Sequence, residues 1–209
     1  MASSLSTPRE ALLRHALQLE ALTIAWNVLE SVVAVSAGYI AGSPALVGFG
    51  LDSVIETIAA SALYRRLRAE LRGTTGEEIE DQERLALRIV GVTFLLLAAY
   101  ILYEAGTTLW NQDAPEESGI GIALAALSLI VMPVLAFAKL RAGQKLESRA
   151  LIADSKETFV CSYLSLALLL GLGANALFGA WWADPVAALL MLPWVCLLYT
   201  SPSPRDKTV

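Results

Sequence analysis

An apolar run long enough to cross a bilayer, interrupted by side chains that lipid does not tolerate, constrains this chain more than any other feature. Residues 150–179 read ALIADSKETFVCSYLSLALLLGLGANALFG, with Glu157 and Cys161 four residues apart in the middle. On a helix that spacing stacks them on one face. Ionisable groups in a bilayer core are costly, and they mark ion or proton pathways. A second apolar run repeats the arrangement, since in GFGLDSVIE the acids Asp52 and Glu56 are again four residues apart. Two acid-bearing helices at matching depth are the parts from which a divalent-cation site inside a membrane would be made.

The rest of the chain supports a membrane reading. An apolar content of 56% and a mean hydropathy of +0.59 exceed what an ordinary soluble domain carries. The first span covers roughly residues 20–41, matching the length of about 20 residues that a bilayer core requires. It holds Asn27 and Glu30, and Gly42-Ser43-Pro44 then forms a turn with proline placed to open the next helix. Spans follow at 44–64, 87–109 and 119–139, with Pro133 expected to kink the last of these. The fifth covers 150–172, and ADPVAALLMLPWV begins a sixth. The fold expected is therefore an all-α polytopic membrane protein of six transmembrane helices. Before the first span, residues 1–19 form a polar segment for the cytoplasm or the interface, with Ser6 or Thr7 and Pro8 as a helix start. Nothing there resembles a cleaved signal peptide.

Orientation follows from the positive charges. Lys and Arg occur in the N-terminal segment, between spans two and three, between spans four and five (KLRAGQKLESR, 139–149) and in the tail. The connections after spans one, three and five contain none, so both termini are expected in the cytoplasm. The acidic run from Glu77 to Glu83 reads as a solvated face. Trp181 and Trp182 suit a membrane interface. Cys161 and Cys196 lie in apolar stretches and suggest no disulfide framework, and nothing basic and aromatic is concentrated enough for nucleic acid.

At this point the chain resembles the transmembrane domain of the cation diffusion facilitator family over roughly residues 20–193, within an expected transmembrane domain of 20–195. The carriers of the resemblance are SPALVGFGLDSVIE, with Ser43, Ala45, Leu46, Asp52 and Glu56, and ALIADSKETFVC, with Ala150, Leu151, Ala153 and Asp154. Gly171-Leu172 and the string from Gly179 through Ala183-Asp184-Pro185-Val186-Ala187-Ala188-Leu189 complete the match. Glu157 and Cys161 fall where the family usually has histidine and aspartate. The resemblance implies a metal set of Asp52, Glu56, Glu157 and Cys161, with export of a divalent cation from a bacterial inner membrane in exchange for protons, by a homodimer. The cation is substrate, and no permanently bound cofactor is expected. Four ligands including a thiolate suit zinc and disfavour magnesium and calcium, with cadmium, cobalt, ferrous iron and manganese also open.

Beside these ligands, Asn27, Glu30, Asp154 and Glu104 are candidates for supporting contacts or a proton path. Asp154 reads as orienting the cytoplasmic mouth or capping its helix, and Asp184-Pro185 as starting the sixth helix. Rival readings are a proton-coupled exporter of organic cations, with Cys161 as packing, and a membrane scaffold that transports nothing. An intramembrane enzyme is not expected, because no His, Ser or Cys pairs with a general base. The run CLLYTSPSPRDKTV departs abruptly from the pattern, so residues 196–209 are expected to be a non-native tail that truncates the sixth span after Val195.

Overall fold

The computed structural model describes residues 8–73, 77–112 and 115–200, without the side chains of 77–91, 93–94 and 193–200. Among the described residues the chain is all helix: α1 (Pro8–Ala41), α2 (Pro44–Leu71), α3 (Glu77–Asn111), α4 (Gly119–Leu146), α5 (Arg149–Phe178) and α6 (Ala183–Thr200). Four of these, α1, α2, α4 and α5, are long and apolar enough on their described residues to cross a membrane. Leu22, Val32, Leu96, Ile130, Val134 and Leu170 are among many large apolar side chains facing outward. A soluble protein rarely exposes so much contiguous apolar surface, whereas lipid accepts it. The protein is an all-α polytopic membrane protein.

The helix ends follow local chemistry. Ser43, Ser118 and Ser148 are the N-caps of α2, α4 and α5, each hydroxyl accepting from a backbone N–H three residues on. Pro44 fills the first position of α2, where its missing N–H costs nothing. Gly42 and Gly179 both have φ of +62°, the left-handed conformation that lets α1 and α5 stop sharply. The N-terminal segment is not a separate helix, because no glycine or proline occurs between Arg9 and Ala37 to break it from the first span. α4 likewise continues through Pro133 as one element. The side chains of Glu77 to Glu83 lie outside the described residues, as do residues 201–209 of the expected tail, while its residues 196–200 belong to α6.

Packing sorts the bundle into layers. α1 packs mainly on α2 and α4 on α5, with α1 also on α4, α5 on α6, and α3 on α2 and α6. One apolar cluster, including Leu46, Phe49, Ile101, Leu124, Leu168 and Met191, draws on all six helices. A second, including Leu13, Ala16, Leu67, Leu135, Leu146 and Leu151, fills the end where α4 turns into α5. Between the clusters lies a band of buried polar residues on α1, α2, α4 and α5.

The α6 start is fastened to the α2 start across the sequence. The Ser43 hydroxyl donates to Asp184 Oδ1 at 2.6 Å while its oxygen accepts from the Leu46 N–H at 3.1 Å. One hydroxyl thus closes two gaps, and Asp184 is fully buried. Asp184 therefore does more than begin its own helix. Ser43→Ala is expected to cost about 1–3 kcal/mol, because it removes a cap and leaves a buried carboxylate short of a donor. Thermal unfolding in detergent checks this, and an unchanged midpoint would refute the fastening.

Candidate functional site

The polar band is built from stripes at helical spacing. α2 contributes Asp52 and Glu56, and α5 contributes Asp154, Thr158 and Cys161, each set on one face. Where α2 crosses α5, the Cys161 Sγ lies 3.0 Å from Glu56 Oε2 and 3.5 Å from Asp52 Oδ2. All three residues are buried. A thiol has one proton to donate, yet two carboxylates converge on this sulfur. Buried carboxylates so close repel one another unless protons or a cation intervene. The two carboxylate oxygens lie against the sulfur, and carboxylate and thiol are chemistry that can exchange protons for a cation.

Glu157 stands apart from that convergence. It is half-buried one turn before Cys161 and feels the charges of Asp154, Glu56, Asp52 and Lys139, but makes no hydrogen bond to the cluster among the described residues. No group of three or more His, Cys, Asp or Glu among the described residues is closed into a metal-holding arrangement. The structure thus brings together Asp52, Glu56 and Cys161 and leaves Glu157 at their rim. Lys156, beside it, is exposed.

The supporting residues separate into distinct groups. On α1, Glu30 accepts from the Ser53 hydroxyl at 2.8 Å, while Trp26 and Ser128 face it without reaching hydrogen-bond geometry. Asn27 is fully buried, and its amide has no partner among the described residues. Glu104 is partly exposed on α3, and among the described residues its side chain makes no hydrogen bond or ion pair with the cluster. Asp154 does not cap α5, since Ser148 does. It accepts instead from Lys139 Nζ at 2.6 Å.

Lys139, Glu20 and Thr158 were not singled out by the sequence. Lys139 reads as the first residue of a basic connection, yet it is fully buried within α4. Its ammonium pairs with Asp154 and, at 3.3 Å, with Glu20. It also lies 3.4 Å from Thr158 Oγ1, which in turn lies 3.1 Å from Glu56 Oε1. A signal was available: Met132, Leu135, Ala136 and Lys139 follow the spacing of a buried helix face, as do Leu13, Ala16 and Glu20.

Comparison with known proteins agrees with the architecture. Residues 21–200 match the family model described as the cation efflux transmembrane domain. Transmembrane protein 163 of Xenopus laevis is 28% identical over 157 residues, which is 75% of this chain and 54% of that protein. The manganese efflux system protein MneS of Bacillus subtilis is 23% identical over 178 residues, 84% of this chain and 61% of that one. An uncharacterized transporter of Methanocaldococcus jannaschii is 23% identical over 175 residues, 81% of this chain and 61% of its own. The chain spans between half and two thirds of the length of these curated relatives.

Proposed function

The chain belongs to the cation efflux family, and from that premise we propose that it exports a divalent metal cation through the Asp52, Glu56 and Cys161 cluster, in exchange for protons. The observation that carries this reading is the convergence of two buried carboxylates and a thiol from two crossing helices at the level of the polar band. Glu157, one turn from Cys161, supplies the fourth ligand by turning its side chain inward. Oxygen and sulfur ligands bind metal only when deprotonated, so loading a cation expels protons, and protons arriving from the opposite side expel the cation. The two fluxes are coupled by competition for the same atoms. In this reading, which rests on the positive-inside distribution of Lys and Arg, the α4–α5 connection and both termini face the cytoplasm. The homodimer implied by the family is part of this proposal.

Zinc is the cation that a tetrahedral set of carboxylates and one thiolate suits best. Manganese is the second reading, favoured by the similarity to a manganese efflux protein and by the predominance of carboxylate oxygen. The test is metal uptake into inside-out vesicles under an imposed proton gradient, comparing zinc, manganese, cobalt, cadmium and ferrous iron. Uptake driven by an acidic lumen, and falling as the outer medium is acidified, is the expected result. No gradient-driven uptake of any metal by folded protein would overturn antiport and favour an organic-cation substrate or a scaffold.

A further inference from the structure

A fully buried lysine is retained only where its charge is met by partners. Lys139 meets two carboxylates from two other helices, Asp154 of α5 at 2.6 Å and Glu20 of α1 at 3.3 Å, with the Thr158 hydroxyl at 3.4 Å. The pairing is uneven, because Asp154 holds the ammonium at 2.6 Å whereas Glu20 stands off at 3.3 Å. Glu20 is wholly buried, and neither of its oxygens makes a hydrogen bond among the described residues. A divalent cation in the place of the ammonium would engage both carboxylates at once. The donor atoms present, carboxylate oxygens and a hydroxyl, are those a hard or borderline divalent cation takes.

Its location gives the group a direction. Asp154, Thr158 and Cys161 follow one another on one face of α5, so Asp154 lies roughly 10 Å from Cys161 along the axis, toward the α4–α5 connection. Thr158 joins the levels physically, being within hydrogen-bond distance of both Lys139 and Glu56. Leu13, Leu146 and Leu151 close that end in this conformation, and once they part a cation entering there meets Asp154 and Glu20 before Asp52 and Glu56. Lys139 has the longest and most flexible stem of the group and so the widest swing.

We propose that Glu20 and Asp154 form a second, oxygen-lined cation site at the mouth of the transport site, filled by the chain's own Lys139 ammonium, which an entering divalent cation displaces. Lys139 is thus a tethered stand-in for the substrate: it holds α1, α4 and α5 together when no metal is present and yields its carboxylates when one arrives. The assignment of a mouth rests on the transport reading above, but the existence of the site can be measured without transport.

Zinc binding is measured at equilibrium on the purified full chain carrying Asp52→Asn and Cys161→Ala, which silence the inner site. Adding Lys139→Gln is expected to create binding of one zinc per chain, and adding Glu20→Gln with Asp154→Asn is expected to abolish it. A folded Lys139→Gln variant that gains no zinc overturns the proposal, whatever the unaltered chain binds. Zinc binding by the chain carrying Glu20→Gln and Asp154→Asn that survives Asp52→Asn would instead overturn the transport-site reading, and with it the placement of Lys139 at a mouth. Should Lys139→Gln alone fail to fold, the triple change Lys139→Gln/Glu20→Gln/Asp154→Asn leaves no unpaired charge. In that background, with Cys196→Ser leaving Cys161 as the sole thiol, an impermeant maleimide applied to inside-out vesicles is expected to label Cys161 about tenfold faster than with the trio intact. An unchanged labelling rate refutes the ammonium as a closure.

Discussion

Asp52→Asn is expected to reduce gradient-driven metal uptake by at least about two orders of magnitude, equivalent to roughly 3 kcal/mol of lost cation binding. The substitution preserves size and most of the packing around a buried side chain, so the loss reports charge rather than shape. An amide cannot surrender a proton to make room for a metal, and its oxygen holds only a partial charge. Glu56→Gln should behave alike, because both carboxylates address the same sulfur. Cys161→Ala should be milder, near tenfold, since water can occupy the sulfur's place, and it should shift preference from zinc toward manganese as the soft ligand disappears. The measurement is initial uptake rate at several metal concentrations, with folding checked by size-exclusion profile. Asp52→Asn that transports normally would remove this cluster from the transport path.

Gly50→Leu is expected to be the most damaging single change to the fold. A Cβ at Gly50 would stand 2.8 Å from the Val35 backbone nitrogen and 2.9 Å from the Ala34 Cβ, and Gly38 faces Val47 on the same seam just as closely. Backbone cannot rotate away as a side-chain tip can, so the helices must part. Overpacking of this sort costs about 1–3 kcal/mol even for modest insertions, and a full leucine at a backbone contact exceeds that. The damage extends to function, because Gly50 lies two residues before Asp52, and Ser53 on the same helix holds Glu30 of α1. Gly173→Leu is the control, as a Cβ there meets nothing within 4 Å. Expression yield and thermal midpoint in detergent compare the two. Equal stability of the two variants would show that α1 and α2 do not need their close approach.

Much of this architecture was legible in the sequence because lipid leaves few choices. Apolar runs of helical length, serine and proline before them and glycine after them locate the elements, and the acid pairs at i, i+4 indicate which faces carry charge. Asp52, Glu56 and Cys161 could be marked together because each interrupts an apolar run at a similar depth. Glu157 could be marked for the same reason, yet spacing along one helix does not say how far a side chain reaches across to another, and it stands at the rim.

The sequence by itself determined the helices, their ends, the orientation expected from charge, and the depth of the acidic pairs, since these depend on periodicity, capping and the distribution of charge along one dimension. Only the tertiary structure decided that Ser43 meets Asp184, 141 positions away, and that Lys139 meets Glu20 and Asp154. A lysine near a basic connection looks solvated in sequence whether it points to water or inward. Its environment is set by which helices neighbour it and at what rotation. Those contacts depend on the summed shapes of faces far apart in the chain, and on how closely small residues such as Gly38 and Gly50 let the backbones approach.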